Sequence, residues 1–290
     1  FRRIAPEDIQ VLRAVEVGMS RHEYVPENVV LRLSGLHERE FEYRINRLRE
    51  FRLIRRWVGP YVGYVLNMAG YDCLAINAFV RRGVIEAFGK PLGVGKEADV
   101  YDALTPSGER VAVKFQRLGR TSFRQTRRVR GYAGNRRHIS WLYRSRLAAE
   151  REFEALQLLY PAGVSVPRPI SQNRHAIVMG IIEGAELFRC VGLPDPGEVL
   201  DEILLNVRKA YVEVGVIHAD LSEYNVILQP DGHVLIIDWP QYVRVSHPNA
   251  DQLLERDLRN ILRFFQRKFD VTRDLGVVLA YVRGGRASPH

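Results

Sequence analysis

The sequence is short of lysine, of cysteine and of long apolar runs. Five lysines, Lys90, Lys96, Lys114, Lys209 and Lys268, stand in 290 residues, so nearly all positive charge is carried by arginine. The two cysteines, Cys73 and Cys190, have neither metal-site spacing nor a disulfide-framework pattern. No apolar run approaches the roughly 20 residues that span a bilayer. Nothing at the start resembles a signal segment, which points to a cytoplasmic protein with no membrane partner. Acid is missing altogether from Phe115 to Ala149, where ten arginines stand: Arg117, Arg120, Arg124, Arg127, Arg128, Arg130, Arg136, Arg137, Arg144 and Arg146. The net charge is +9, so these ten leave the rest of the chain at −1. Planar guanidinium groups bind phosphate bidentately, and so many in one segment suggest nucleic acid or a phosphorylated ligand. The plainer reading is a solvated helix face.

Apolar residues make up 46% of the chain, enough to bury the core of one large domain or two ordinary ones. "APEDIQVLRAVEVGM" has a Pro–acid helix start, "PENVVLRLSG" runs from Pro26 to Gly35, and Phe41, Ile45, Leu48 and Phe51 repeat at helical spacing. Two β-rich runs around a Gly-Pro turn follow in "LIRRWVGPYVGYVLN". Three helices and a hairpin make a winged helix-turn-helix pattern over residues 1–85. Its third helix is expected to turn Arg39, Tyr43, Arg44 and Arg47 outward, as a groove-reading helix does. A module that binds only its own neighbour is the alternative. A connecting helix is expected over residues 71–89, then strands at "VAVKFQ" and "AIVMGII", with helices over 147–160, 197–215 and 255–284. Strands first and helices later is an α+β order.

Chemistry concentrates in four places. "GVGKEADV", residues 93–100, is a glycine-bearing turn whose backbone N–H groups can approach phosphate. By itself it reads as an ordinary hairpin. Lys114 ends the alternating run "VAVK" one strand later, the spacing at which a loop and a lysine hold one triphosphate. A lysine held in one rotamer needs an acid from a neighbouring helix; Glu152 is the choice, with Glu150 and Glu154 as fallbacks. In "IHADLSEYNVIL" and "LIIDWPQY", Asp220 precedes Asn225 by five residues and Asn225 precedes Asp238 by thirteen. Val216–Ile217, Val226–Leu228 and Val234–Ile237 read as short buried strands around a turn at "QPDGH", which brings the three polar groups into one cleft. Asn225 and Asp238 offer hard oxygens suited to Mg²⁺ (or Mn²⁺), leaving Asp220 to orient a nucleophile or take its proton.

"HADLSEYN" with "IIDWP" resembles the catalytic and metal-binding loops of protein-kinase-like enzymes. With "GKEADV", "RTSF" and "DWPQ" in place of D-F-G, the chain is similar to the RIO kinases along essentially its whole length, and the winged helix points to their second subfamily. The resemblance implies a winged-helix domain, 1–85, followed by a minimal bilobal kinase domain, 86–290, without an activation segment or peptide-binding helices. It implies ATP as the bound nucleotide, with Gly93, Val94, Gly95, Lys96, Glu97, Ala98 and Val100 over the phosphates and Lys114, held by Glu152, against them. The hinge after "AIVM" implies adenine at Met179, Gly180 and Ile182. Asp220 is the implied catalytic carboxylate, and Asn225 and Asp238 the implied metal ligands.

Three departures from the wider kinase pattern matter. Ala98 replaces the loop's third glycine, Ala219 replaces the arginine of H-R-D, and no A-P-E follows Asp238. Only 52 residues remain after Asp238, too few for a full helical lobe, so ordinary phosphorylation of other proteins is not expected. The family likeness implies a monomer that matures the small ribosomal subunit, contacts its precursor rRNA, and phosphorylates itself, at Ser122 or transiently at Asp238. The arginine segment corresponds to the family's loop near the ATP site. The competing readings are a small-molecule phosphotransferase of the aminoglycoside-kinase kind and an RNA-binding scaffold that holds ATP without chemistry.

Overall fold

The computed structural model describes residues 3–118, 141–285 and 287–289. Seven of the ten clustered arginines and Ser122 lie outside the described residues. The chain forms two compact units, one of residues 1–109, 115–146 and 173–176, the other of residues 110–114, 147–172 and 177–290.

In the first unit, helix α1 (Pro6–Gly18) starts with proline in its first turn, and the Asp8 carboxylate accepts the Ala5 N–H at 2.8 Å. Helix α2 (Glu27–Ser34) stops where Gly35 takes φ +68°, a left-handed conformation that glycine adopts without steric cost. Helix α3 (Glu38–Glu50) buries Phe41, Ile45 and Leu48. Strands β1 (Val25–Pro26), β2 (Ile54–Val58) and β3 (Val62–Leu66) form a sheet in the order β1-β3-β2, with Ile54 opposite Leu66 and Val58 opposite Val62. This is the expected winged-helix arrangement. Leu12, Val15, Val30, Leu48 and Tyr64 are nearly or wholly buried in its core.

Helix α4 (Met68–Arg81) is shorter than the connecting helix expected over 71–89. Gly83 turns left-handed at φ +65°, and strand β4 (Ala87–Val94) takes the remainder. It pairs antiparallel with β5 (Ala98–Leu104), Gly93 opposite Val100, through two register shifts. The Gly95 N–H closes the turn on the Ala98 carbonyl at 2.8 Å. A Cβ on Gly95 would meet that oxygen at 3.1 Å, whereas one on Gly93 would meet nothing within 4 Å. A side chain at Gly95 would thus crowd the turn, whereas Gly93 has room for one.

Arg117 corrects the reading of the arginine segment. Its side chain is buried, bonded to both Asp72 oxygens at 2.6 and 3.0 Å and to Asp99 at 2.7 Å. Asp72 lies on α4 and Asp99 on β5. His175 Nε2 lies 2.7 Å from Asp72 as well. Burial pushes the Asp72 carboxyl up, but His175 and Arg117 outweigh it and hold the group below its ordinary range. Arg117 is thus an internal counter-ion, not a surface contact. Arg144 and Arg146 remain exposed.

In the second unit lie residues 110–114 of β6 (Arg110–Gln116), 177–180 of β8 (Ala176–Gly180) and 169–172 of β7 (Pro169–Asn173), strands that neighbour one another in that order. Helix α5 (Trp141–Leu159) covers the stretch expected over 147–160. Helix α6 (Pro196–Lys209) gives way to one π-helical turn, residues 210–214, that ends at Gly215 with φ +75°. The C-terminal stretch expected as one helix breaks into α7 (Ala250–Phe269) and α8 (Leu275–Val282), because Asp270 turns left-handed and Asp274 caps a new start. Strands β9 (Ala185–Glu186), β11 (Val226–Leu228) and β12 (Val234–Ile236) form a sheet in the order β12-β11-β9, and β10 (Val216–Ile217) pairs with β13 (Val243–Arg244). Leu200, Leu204, Val226, Ile236, Trp239, Leu258 and Phe265 centre the core of this unit. Among the described residues, no helix is long and apolar enough to cross a membrane.

Candidate active site

Strand β6 does not alternate as expected: Val111, Ala112 and Val113 are all buried, and Lys114 follows them into the interior, where its ammonium needs anionic partners. It finds two. Lys114 Nζ donates to Glu152 Oε1 at 2.6 Å and is ion-paired with Asp238. Glu152, on α5, is the buried partner, 3% exposed at its side chain; Asp238 is the accessible one, 44% exposed. Burial pushes the lysine's pKa down, but the two carboxylates outweigh that and raise it above its ordinary value. Lys114 in turn holds the Asp238 carboxyl below the usual carboxylate range.

The short strands β11 and β12 pair Val226 with Ile236, and one rung further the Ile237 N–H donates to the Asn225 carbonyl at 2.9 Å. This rung sets Asn225 beside the residue that precedes Asp238. The Asn225 amide donates to the Asp220 carbonyl at 2.9 Å, so its Oδ1 is the atom it can offer a cation. Asp220 itself is exposed. His218 lies beneath: Nε2 donates to the Ile237 carbonyl at 2.9 Å, and the ring sits 4.5 Å from that of buried Trp239. Burial lowers the His218 pKa, so the imidazole is a neutral strut. Trp239 is anchored by its own indole N–H, 3.0 Å from the Ile236 carbonyl.

Ala219 and Asp238 both have left-handed backbones, at φ +63° and +66°. Non-glycine residues there cost about 1–2 kcal/mol, so the surroundings must enforce them. For Ala219 the enforcers come from α7. Its N–H donates to Asp257 Oδ2 at 2.7 Å and its carbonyl accepts from Arg256, while Asn260 donates to the Leu221 carbonyl at 3.3 Å. Sequence reasoning passed over Asp257, Arg256 and His218. Asp257 follows buried Leu254 by three residues and precedes buried Ile261 by four, so an acid stands on an apolar helix face. That was the available signal.

Burial pushes the Asp257 carboxyl up to about 6. A raised carboxyl pKa means that the folded chain binds this proton more tightly than the unfolded one. Its contribution to stability is full below about pH 4 and is lost as pH rises through 6, by about 3 kcal/mol. Asp257→Asn should therefore gain on the wild type by that amount between pH 4 and pH 8 in urea unfolding. Asp257→Ala, which strands the Ala219 N–H, should lose about 1–3 kcal/mol.

At the expected hinge, Met179 is buried and the Gly180 N–H is committed to the Arg168 carbonyl at 2.9 Å. Gly180 can therefore offer only its carbonyl, leaving the N–H of Ile182 as the candidate donor. In the first unit, Arg44 and Arg47 overturn part of the groove-reading expectation. Arg44 pairs with Glu7, Asp8 and Glu40, and Arg47 with Asp8. Both lie against α1; Arg39 and Tyr43 alone of the four are exposed. Among the described residues, no cluster of three or more His, Cys, Asp or Glu side chains suits a metal. The Asn225 and Asp238 pair is a sparser, all-oxygen set of the kind Mg²⁺ takes with phosphate.

Residues 99–276 match the RIO domain model, and residues 1–82 match the model for the Rio2 N-terminal domain. The chain belongs to the RIO-type serine/threonine kinases, on their Rio2 branch. It is 44% identical to the RIO-type serine/threonine-protein kinase Rio2 of Methanocaldococcus jannaschii over 91% of this chain and 99% of that one. It is 36% identical to rio2 of Schizosaccharomyces pombe over 95% of this chain and 80% of that one. It spans about half of the Dictyostelium discoideum rio2, at 52% of that protein and 38% identity over 93% of this chain. A solved Rio2 kinase–ADP/Mg²⁺–phosphoaspartate complex from Chaetomium thermophilum superposes with a TM-score of 0.82 at 34% identity, covering 98% of this chain and 87% of that one. The family shares the atypical kinase fold, with a Rio2 N-terminal domain ahead of a kinase-like one.

Proposed function

We propose that this kinase uses Mg²⁺-ATP to drive maturation of the small ribosomal subunit in the cytoplasm, acting as a monomer on the precursor particle and its rRNA. Lys114 held between Glu152 and Asp238 is the observation that carries the catalytic half. A buried lysine fixed by one buried acid and facing one accessible acid is arranged to meet a polyanion. Lys114 binds the nucleotide phosphates, Glu152 fixes its rotamer, and the Gly180 carbonyl and Ile182 N–H take the adenine edge beside Met179. Asn225 and Asp238 hold the metal. Bound there, Mg²⁺ would supply charge neutralisation at the phosphates. The segment Gly93–Val100 is assigned to the phosphates by the family pattern alone.

The Chaetomium relative holds ADP, Mg²⁺ and a phosphoaspartate. By analogy, an Asp238 carboxylate oxygen forms a bond to the γ-phosphorus as the bond to the β,γ-bridging oxygen breaks, and ADP leaves. Water then attacks the acyl phosphate, Asp220 takes its proton, and inorganic phosphate is released. After incubation with ATP, mass spectrometry should find a hydroxylamine-labile phosphoryl group at Asp238. A stable phosphate at Ser122 would make the hydroxyl the acceptor, and ADP release with neither would make it water. ATP turnover should rise when small-subunit precursor particles are added. A rate indifferent to the particles would remove the ribosomal half of the reading.

A further inference from the structure

The arginines of the first unit fall into two groups. Arg44 and Arg47 are neutralised by acids of α1 and α3. Arg49, Arg52, Arg55 and Arg56 have no ion-pair partner among the described residues, and all four are exposed. They line one groove of 620 Å³ between the C-terminal end of α3 and strand β2, together with Asn46, Asn67, Glu50 and Ile54. Ile54 is its single aliphatic residue and no aromatic lines it; arginine and asparagine side chains dominate, unlike the aromatic and aliphatic centre of a protein-docking site. Its donors are guanidinium groups and two amides, the set that takes phosphate and sugar oxygens.

Two further observations point to a nucleic acid. Arg55 donates to the Tyr24 hydroxyl at 2.8 Å and lies over its ring, and Tyr24 stacks on Trp57, which meets exposed Tyr61 edge-on. The cationic groove thus runs into an aromatic cluster, the pairing that holds unpaired bases beside their backbone. Arg52 is the second. It sits just past the end of α3 with φ +55°, where the Leu53 N–H returns to the Leu48 carbonyl and glycine is the favoured residue. Asn67 donates to the Arg52 carbonyl at 3.0 Å and secures the turn. A cation stands at the groove's edge in a conformation that costs stability.

We infer that this groove, and not the outer face of α3, is where the winged-helix part binds RNA, gripping the phosphate backbone with Arg49, Arg52 and Arg56. The inference rests on the proposed rRNA partnership and adds the surface. The test uses the full chain and a small-subunit rRNA fragment, with affinity measured against salt. The variant Arg49→Gln/Arg52→Gln/Arg56→Gln should flatten the log–log slope by about 2–3, at roughly 0.7–0.9 per lost phosphate contact. The charge-matched Arg13→Gln/Arg81→Gln/Arg82→Gln, from another exposed arginine group of the same unit, should leave the slope in place. Arg52→Gly should bind RNA more weakly yet melt about 1–3 °C higher, since it relieves the left-handed arginine. A purely structural Arg52 would instead lower the melting temperature. Equal slopes for both triple variants, or a loss seen with Arg39→Gln and not with the groove variant, would overturn the groove while leaving RNA binding intact. A wild-type chain that binds no rRNA at all would overturn both this inference and the partnership beneath it.

Discussion

Replacing Asp238 with asparagine should cut ATP turnover by at least about 10²–10³-fold while leaving the fold in place. Lys114 faces two carboxylates, so removing the accessible one still leaves it paired with Glu152 at 2.6 Å. The asparagine keeps the side-chain shape but gives up the charged oxygen that would face the metal. Stopped turnover with an unchanged unfolding midpoint is the expected result. Near-normal turnover would remove Asp238 from the chemistry. Lys114 holds this carboxyl below the usual range, so lowering the pH from 7 to 5.5 should not protonate it. Any acid limb of activity in that interval belongs to another group.

Lys114→Met should have the largest effect on stability, about 3–5 kcal/mol, because it breaks the buried ion pair with Glu152 at 2.6 Å. The double variant Lys114→Met/Glu152→Leu should recover most of that loss, since it removes both members of the pair. It should recover no turnover. Urea unfolding and an ATPase assay on the single and double variants separate the two roles. Persistent instability of the double variant would mean that the cost lies in packing around the lysine stem. Recovered turnover would mean that Lys114 is no more than a counter-ion.

The placement of the candidate site's side chains was readable because its signals are local. Asp220, Asn225 and Asp238 sit at the ends of short apolar runs, and those runs became β10, β11 and β12. Lys114 directly after the apolar run Val111–Val113 demanded an acid, and the structure sets Glu152 against it. The misreadings share a different cause. Arg44, Arg47 and Arg117 looked like surface charge, yet each reaches an acid far away in sequence, Asp8 for the first two and Asp72 and Asp99 for the third. Arg44 did carry a warning: it follows Phe41 by three residues and precedes Leu48 by four, the spacing of the buried face. The broken C-terminal helix was illegible for another reason. Asp270 takes a left-handed conformation that its residue type does not announce.

The Arg117 cluster changes what a truncation experiment would mean. Cutting the chain after α4, at the seam suggested by the two family matches, deletes Asp72. The fragment keeps a buried guanidinium with Asp99 as its remaining acid and a buried His175 stripped of its carboxylate. Such a fragment is a wounded protein and not a smaller one. Weak activity in it would report a broken internal balance of charge, and would say nothing about whether the missing helices had been touching RNA. Point substitutions on the surface of the intact chain are the comparison that keeps the two apart.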